Sequence, residues 1–215
     1  MDSLQIKVCG MRDRQNIQEI ASLRPDYMGF IFYPESSRYC GAVLDPEVVR
    51  QIAFSVGTVG VFVGDELEKV IDTVTHFGMN MVQLHGAETP EYCENLKLAK
   101  PELGLIKAFG IDGDEIPPSV SDYADVADYF LFDTRTASVG GSGKKFDWDV
   151  LRSYRGETPF FLAGGIGDAS DVAKIRQLRW KLPRLLGIDI NSRVEQEVGI
   201  KSVKKVREII EELRK

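Results

Sequence analysis

Eight short runs of apolar, β-rich residues recur along the chain, and no other feature limits the possible folds as strongly. Most of them are almost continuously hydrophobic and do not alternate between apolar and polar residues. That pattern is typical of strands buried on both faces, as in a parallel sheet covered by helices. The runs are Leu4–Cys9, Tyr27–Phe32, Thr58–Val63, Met79–Leu84, Leu105–Phe109, Tyr129–Phe132, Phe160–Ala163 and Leu185–Ile190.

Segments with helical periodicity separate these runs. In the first of them, Ile17 and Ile20 share one face and Asp13 is placed to cap the N-terminus. After the seventh strand, Asp168 is placed in the same way. The pattern predicts helices over Asp13–Leu23, Asp65–Phe77, Thr89–Leu98 and Ser202–Leu213.

Two of the helical segments are expected to be irregular. Within Asp112–Asp128, Pro117 and Pro118 disfavour a long helix, so the fifth helix should be short or distorted. The sixth, near Asp147–Tyr154, also has the pattern of a short helix.

The alternation of strands and helices predicts an α/β fold, a single (β/α)8 barrel of eight parallel strands that spans residues 1–215 as one domain. Such barrels typically have about 250 residues, so this one should have short loops. The alternative is an open, doubly wound sheet. No GxGxxG follows the first strand, which argues against a dinucleotide-binding fold.

Composition limits the partners. The net charge is −6 and no dense block of Lys or Arg occurs, so nucleic acid is not an expected partner. No run is long enough to cross a bilayer, and residues 1–10 lack the pattern of a signal peptide. The three cysteines are an odd number and none lies in a CxxC, which predicts a reduced, cytoplasmic protein.

Polar residues and glycines concentrate where the predicted strands end. In a (β/α)8 barrel, the loops that follow the strands form the active site, so this clustering predicts a site at that end. The residues concerned are Cys9, Gly10, Arg38, His85, Gly86, Asp133, Thr134, Gly140–Gly143, Gly164, Gly165, Asp189, Asn191 and Ser192.

Two turns in this group suit a phosphate group. Gly164 and Gly165 follow the seventh strand, and Asn191 and Ser192 follow the eighth. Loops at these places form the usual phosphate cradle of the fold, because backbone N–H groups and a helix N-terminus face the anion. Taken alone, Gly164–Gly165 is equally well explained as a tight turn. The two turns together favour a phosphate site.

Cys9 and Asp133 end the first and sixth strands. Singly, Cys9 is explained as a small buried apolar residue and Asp133 as a turn residue. Together they form a pair of titratable groups suited to two proton transfers. Lys7 shares the strand face of Cys9, and its ammonium is expected either to lower the pKa of the thiol toward neutrality or to pair with a carboxylate inside the barrel.

Two further side chains have alternative interpretations. His85 fits a base, a hydrogen-bond donor to a substrate, or a structural histidine at a strand end. Arg38 fits a solvated loop residue, or a guanidinium that binds a substrate carboxylate. No close-spaced pair of metal ligands occurs, so no metal site is expected.

An ordered set of motifs resembles the phosphoribosylanthranilate isomerase family. Each motif is weak alone, but their order and spacing are specific, and they run from the first strand to the eighth. They are Lys7–Met11, Gly29–Pro34 with Ser36 and Arg38, Gly60–Val63, Val82–Gly86, Asp133–Thr134, Gly140–Gly143 with Phe146–Trp148, and Leu162–Gly165.

The resemblance implies an Amadori rearrangement of N-(5-phosphoribosyl)anthranilate, a phosphorylated aminosugar, without a cofactor. It assigns the general acid to Asp133, the general base to Cys9 and the binding of the anthranilate carboxylate to Arg38. The turns after strands seven and eight would hold the phosphate. The further residues expected to bind substrate are Lys7, His85, Gly143, Gly164, Gly165, Asp189, Asn191 and Ser192. A monomer and a homodimer are both compatible with the sequence.

Three residues depart from the family pattern. Arg193 stands where glycine is usual, so the turn should differ if that position needs a positive φ. Asp171 replaces a common asparagine and adds negative charge near the expected phosphate. Ser202 replaces an aspartate, with little expected effect because serine caps helices about as well.

Two classes of alternative remain at this stage. One is another phosphate-binding barrel enzyme, either an indole-glycerol-phosphate synthase, which needs a catalytic lysine on other strands, or a ribulose-phosphate epimerase, which needs a metal. The other is a barrel without catalytic activity that binds a phosphorylated ligand.

Overall fold

A closed barrel of eight parallel strands forms the centre of the computed structural model, which describes residues 3–111, 115–134 and 147–215. Each observed strand differs from its predicted run by at most two residues at either end. The strands are β1 Gln5–Val8, β2 Tyr27–Ile31, β3 Gly57–Phe62, β4 Met81–Leu84, β5 Gly104–Ile111, β6 Tyr129–Thr134, β7 Phe160–Leu162 and β8 Leu185–Ile190.

The barrel closes between its first and last strands. β1 pairs with β8 in parallel, and the register sets Lys7 opposite Asp189. Each other strand pairs with its neighbour in sequence. Because all strands run in the same direction, the loops that follow them meet at one end of the barrel, as the sequence predicted.

Helices cover the outside of the barrel. They are α1 Arg14–Ala21, α2 Pro46–Ile52, α3 Leu67–Phe77, α4 Pro90–Ala99, α5 Ala169–Leu178 and α6 Val203–Leu213. The predicted caps are confirmed, since the Asp13 carboxylate accepts the Asn16 N–H and the Asp168 carboxylate accepts N–H groups at the start of α5. The Ser202 hydroxyl caps α6.

The fifth and sixth helical segments are short 3₁₀ helices, Pro118–Tyr123 and Trp148–Ser153. The prediction of irregular helices there is confirmed. Pro117 immediately precedes the first of these helices and Pro118 opens it, where a missing N–H is tolerated.

A small hairpin follows β8 that the sequence analysis did not anticipate. It consists of β9 Glu195–Glu197 and β10 Ile200–Lys201, which pair antiparallel. Its tip includes Gly199, which has a φ of +83°. The hairpin carries two charged side chains, Glu195 and Lys201, into the interior near the end of β8.

The apolar residues form two separate cores. The larger one lies between the strands and the surrounding helices, and it includes Ile6, Val8 and Phe132. The smaller one fills the barrel and consists of Val59, Met81, Ile106, Ala108, Leu131, Phe161 and Ala163. Since side chains alternate along a strand, membership of these cores identifies which residues point into the barrel.

Within the residues the structure describes, no helix has the length and apolar character that crossing a membrane requires.

Candidate active site

Strand alternation directs both proposed acid–base residues into the barrel. In β1, Ile6 and Val8 pack on the helices, so Lys7 and Cys9 lie on the inner face. In β6, Leu131 belongs to the inner core, and Asp133 lies two residues further along the same face. Both groups are at the end of their strands where the following loops meet.

The backbone ladder extends beyond β1 and fixes Cys9. The Cys9 N–H donates to the carbonyl of Ile190 at 2.9 Å, and the Met11 N–H donates to the carbonyl of Gly29 at 3.0 Å. The Cys9 side chain is almost completely enclosed, since only 4% of the residue is exposed.

Lys7 pairs with a carboxylate inside the barrel, one of the two alternatives given for it. Its Nζ lies 3.1 Å from Oδ1 of Asp189, and both side chains are buried. Burial lowers the pKa of Lys7, but the negative charges of Asp189 and of Cys9, when ionised, outweigh it, so the pKa lies above its usual value. Lys7 therefore stays an ammonium beside the thiol.

The expectation that Lys7 brings the pKa of Cys9 toward neutrality is wrong for the ligand-free protein. Burial raises the pKa of Cys9, and this effect exceeds the lowering by the ammonium of Lys7. Asp189 adds to the rise, while Lys201 opposes it. The net result is a pKa above the usual value, so the group is a neutral thiol near pH 7.

Asp133 faces His85 across the mouth of the barrel. The Nε2 atom of His85 lies 3.9 Å from Oδ2 of Asp133, and the side chain of Asp133 is 22% exposed. Asp133 therefore reaches solvent, in contrast to the enclosed thiol of Cys9.

The imidazole of His85 is neutral near pH 7. Burial and the positive charges of Lys7 and Lys107 lower its pKa to about 4. Its Nδ1 lies 2.7 Å from Nε2 of Gln83, and with that amide as donor the proton is on Nε2, toward Asp133. Because the charge of Lys7 acts on both His85 and Cys9, this lysine links the two sides of the site.

Gly10 lets the chain turn tightly after Cys9. Its φ is +76°, and a Cβ atom there would lie 2.6 Å from Oδ1 of Asn191 and 2.9 Å from Cδ of Arg38. A side chain would therefore collide with both neighbours. The close approach brings the ends of β1 and β8 and the loop after β2 together.

Arg38 is neither solvated nor alone. The residue is 8% exposed, so the interpretation as a solvated loop arginine is wrong. Its Nε donates to Oε1 of Glu195 at 2.8 Å, and its NH2 atom donates to Oε2 at 2.7 Å. One edge of the guanidinium is thus occupied by a carboxylate of the protein.

Glu195 and Lys201 are polar residues of the site that the sequence analysis did not assign. Lys201 is fully buried, and its Nζ donates to Oε1 of Glu195 at 2.8 Å and to Oδ1 of Asn191 at 2.6 Å. The two residues are six positions apart, but the partner Arg38 lies 157 positions away. No local pattern in the sequence gives a signal for them, because neither the hairpin nor the burial of these two side chains was predicted.

The turn after β7, which the sequence predicts to be part of a phosphate site, has a left-handed backbone at both of its glycines. Gly164 and Gly165 have φ values of +85° and +72°. Successive residues of this kind direct N–H groups into a common concavity, which suits an anion. Asn191 and Ser192 follow β8, with Ser192 opening a short 3₁₀ helix.

Two of the departures from the family pattern, Arg193 and Asp171, lie in the segments that follow β8 and β7. Arg193 lies in the 3₁₀ helix Ser192–Val194 without a positive φ, and it packs against Gly167. Asp171 is buried, and its carboxylate accepts the Gly167 N–H at 3.0 Å. The carboxylate of Asp171 therefore forms a hydrogen bond with the loop that follows β7.

Gly143 and the rest of the Gly140–Gly143 segment lie outside the described residues. Among residues 3–111, 115–134 and 147–215, no group of three or more His, Cys, Asp or Glu side chains is arranged to hold a metal ion.

Comparisons with known proteins agree on one family. Residues 6–212 match the family model described as N-(5′-phosphoribosyl)anthranilate (PRA) isomerase. A protein of that name from Parabacteroides distasonis is 43% identical over 209 residues, covering 97% of this chain and 92% of the relative. Another from Phocaeicola vulgatus is 41% identical, covering 97% of each.

Solved structures show the same similarity. A phosphoribosyl anthranilate isomerase from Thermus thermophilus superposes with a TM-score of 0.79 at 27% identity, and 98% of each chain is covered. A second isomerase, in complex with reduced 1-(o-carboxyphenylamino)-1-deoxyribulose 5-phosphate, gives a TM-score of 0.74 at 27% identity with the same coverage. A third structure, of monomers generated from the dimeric phosphoribosylanthranilate isomerase of Thermotoga maritima, gives a TM-score of 0.74 at 28% identity, with 98% of each chain covered. This chain therefore belongs to the N-(5′-phosphoribosyl)anthranilate isomerase family of intramolecular isomerases.

Proposed function

We propose that this protein catalyses the Amadori rearrangement of N-(5-phosphoribosyl)anthranilate to 1-(2-carboxyphenylamino)-1-deoxyribulose 5-phosphate, with Cys9 as general base and Asp133 as general acid. The observation that carries the proposal is that both groups lie on the inner face of the barrel at its loop-bearing end. The charge of Lys7 acts on both Cys9 and His85, and Nε2 of His85 lies 3.9 Å from Oδ2 of Asp133. The two groups can thus act on one bound sugar.

The reaction requires one proton transfer by each of these side chains, followed by a tautomerisation. Asp133 donates a proton to the furanose ring oxygen while the bond between that oxygen and C1 breaks, and the nitrogen lone pair forms a Schiff base at C1. Cys9 then removes the proton from C2, the electron pair of that C–H bond forms the C1–C2 double bond, and the π pair of the C1=N bond returns to nitrogen, which gives an enolamine. Tautomerisation moves a proton from the C2 hydroxyl to C1 and gives the ketone.

The charges around Cys9 suit its role as base. The pKa of the thiol is raised by burial, so the proton must be lost in the substrate complex or from a minor thiolate population. The ammonium groups of Lys7 and Lys201 stabilise the thiolate when it forms. Turnover should accordingly increase with pH above neutrality, until the thiol is ionised.

Binding is assigned to the groups that surround this pair. Arg38 would hold the anthranilate carboxylate, and the turns at Gly164–Gly165 and Asn191–Ser192 would hold the phosphate. Lys7, His85 and Asp189 would contact the sugar, and Gly143, which lies outside the described residues, remains a further prediction of a substrate-binding residue. The proposed steps are proton transfers by side chains of this chain, so they need no redox cofactor, and we expect no metal.

The cellular setting follows from the reaction class. We place the enzyme in the cytoplasm, as a step of tryptophan biosynthesis and as a one-domain monomer or homodimer. The three cysteines are free and buried, which is compatible with a reducing compartment.

Complementation tests the proposal directly. The wild-type gene should restore growth without tryptophan to a strain that lacks this isomerase, and Cys9→Ala should not. Cys93→Ala is the matched control, because Cys93 is a buried thiol on α4, away from the barrel interior. Failure of the wild type, or growth with Cys9→Ala, would contradict the proposal.

A chelator separates the metal-dependent alternative. The purified enzyme should keep its isomerase activity in EDTA, whereas an epimerase with a catalytic metal would lose turnover.

A further inference from the structure

The cluster of Arg38, Glu195 and Lys201 contains three charged side chains, although one guanidinium would be enough to bind a carboxylate. The three side chains carry two positive charges and one negative charge, and Arg38 and Lys201 are both buried. Burial of charge is costly unless each group is paired and hydrogen-bonded. The arrangement of partners shows how this cluster meets that condition.

Glu195 is the centre of the cluster. Its Oε2 accepts from NH2 of Arg38, and its Oε1 accepts from Nε of Arg38, from Nζ of Lys201 and from the Gly199 N–H at 3.0 Å. Burial raises the pKa of Glu195, but these donors outweigh it and the pKa is lowered overall. Glu195 is therefore a carboxylate.

Lys201 is held from two directions. Its Nζ donates to the carbonyl and Oδ1 of Asn191 as well as to Glu195, so the ammonium donors are engaged. Its backbone N–H and carbonyl bond to the Oδ1 and Nδ2 atoms of Asn16 on α1, at 2.7 and 2.9 Å. These contacts fix the position of the ammonium relative to the barrel.

The geometry of Arg38 leaves a defined edge for a ligand. Glu195 takes the edge formed by Nε and NH2, and NH1 has a long contact of 3.4 Å with the hydroxyl of Ser37. A second carboxylate can bind the edge formed by NH1 and NH2, because the planar guanidinium accepts two such partners at once. Lys201 offsets the charge of Glu195, so the cluster retains a net positive charge for that ligand.

We propose that Glu195 is a positioning residue for substrate recognition, which fixes Arg38 so that its NH1–NH2 edge binds the carboxylate of the substrate, while Lys201 offsets the negative charge of Glu195. The inference rests on the proposed function, because it concerns the anthranilate carboxylate. The same contacts are also compatible with the opposite role for Glu195. If Glu195 instead competed with the substrate for Arg38, its removal would tighten binding.

Paired ligands test this proposal by calorimetry. The first is reduced 1-(o-carboxyphenylamino)-1-deoxyribulose 5-phosphate, and the second is the same molecule without the carboxyl group. Glu195→Gln keeps the shape of the side chain but replaces one acceptor by a donor facing Arg38. The Kd for the carboxylate ligand should rise about tenfold, since a charge-assisted pair is lost, while the Kd for the second ligand should stay within about twofold.

Two further variants complete the design. Glu197→Gln is the matched control, because Glu197 is on the same strand and exposed; it should change neither Kd. In an Arg38→Ala background, Glu195→Gln should have no further effect on the carboxylate ligand, because Glu195 acts through Arg38. A general loosening of the structure would weaken both ligands alike.

The outcomes distinguish failure of the proposed function from failure of the role assigned to Glu195. Wild-type protein that binds neither ligand would overturn the proposed function and this inference together. A different outcome would overturn only the role of Glu195. In it, wild-type protein binds the carboxylate ligand more tightly than its counterpart, but Glu195→Gln leaves the Kd for the carboxylate ligand unchanged, lowers it, or raises the Kd values for both ligands equally. In kinetics, the variant should show an increased KM with kcat within about threefold of wild type.

Discussion

The two sides of the barrel mouth differ in how they hold their reactive group. On the side formed by β1, β2 and β8, the thiol of Cys9 is enclosed and surrounded by fixed charges, Lys7, Asp189 and Lys201. On the side formed by β4, β5 and β6, Asp133 is partly exposed and faces a neutral imidazole, that of His85.

The difference fits the roles that we propose for the two groups. A base that removes a proton from carbon benefits from an enclosed site in which charges are already in place, because they need not reorganise during the reaction. An acid that protonates a ring oxygen must reach the substrate as it enters, and partial exposure permits this. We expect substitutions on the two sides to have different signatures.

The largest effects are expected for the reactive groups themselves. Cys9→Ala and Asp133→Asn should each reduce kcat by roughly 10²-fold or more, the usual scale for loss of a general acid or base. Steady-state kinetics with purified variants would measure this. Cys93→Ala and Asp122→Asn are the controls, one buried thiol and one exposed carboxylate. Normal turnover in either active-site variant would break the comparison.

The enclosed side should be the more costly one to perturb in stability. Lys7→Met leaves the carboxylate of Asp189 buried without its partner, so the free energy of unfolding should fall by about 3–5 kcal/mol in denaturant titrations. Arg14→Gln is the control, since it removes an exposed pair with Asp45 and should cost less than about 1 kcal/mol. Equal decreases in the free energy of unfolding of the two variants would contradict the claim that burial makes the Lys7–Asp189 pair more costly to break than an exposed pair.

The open side should show its effect in the dependence of stability on pH. The pKa of His85 is about 4 in the folded protein and about 6.5 when unfolded, so the unfolded state binds more protons between these values. The free energy of unfolding should therefore fall as the pH decreases from 6.5 to 4. Because the side chain is 23% exposed, we expect a loss on the order of 2 kcal/mol rather than the full value for such a shift.

A matched pair of variants isolates this contribution. His85→Asn should flatten the pH profile of stability in that interval. His76→Asn should not, because His76 is the other histidine of the chain and is exposed on α3. An NMR titration of the His85 ring that gives a pKa near 6.5 would show that its environment is not as described.

The smallest effect concerns a hydrogen bond that supports the loop after β4. The hydroxyl of Tyr123 donates to the carbonyl of Glu88 at 2.9 Å, so Tyr123→Phe should reduce the free energy of unfolding by about 1 kcal/mol. Tyr33→Phe removes an exposed bond to Glu35 and should cost less. Thermal unfolding would resolve the difference, and a larger loss for Tyr33→Phe would contradict it.

Local patterns were sufficient for most of the fold. Continuous apolar runs identified all eight strands, because strands buried on both faces have no polar alternation. Capping residues marked the starts of α1, α4, α5 and α6, and the proline pair correctly indicated an irregular fifth helix. The helix α2 was not given bounds, although Asp45 followed by Pro46 is a readable start signal.

Long-range pairing and burial were not readable in the same way. The partner of Arg38 lies 157 positions away in the hairpin Glu195–Lys201, and no local pattern connects the two. The direction of the pKa shift of Cys9 was predicted wrongly, because the charge of Lys7 is visible in the sequence but the enclosure of the thiol is not. The positive φ values at Gly164 and Gly165 agree with the glycine pair in the sequence, because glycine adopts them without strain.

A crystal structure of this protein with reduced 1-(o-carboxyphenylamino)-1-deoxyribulose 5-phosphate tests the central claim most directly. The account predicts that the Cys9 Sγ lies within about 4 Å of C2 and that a carboxylate oxygen of Asp133 lies about 3 Å from the oxygen that was part of the ring, with the sugar between them. A ligand bound with either group on the far side of a strand, or separated from the sugar by an intervening side chain, would contradict it.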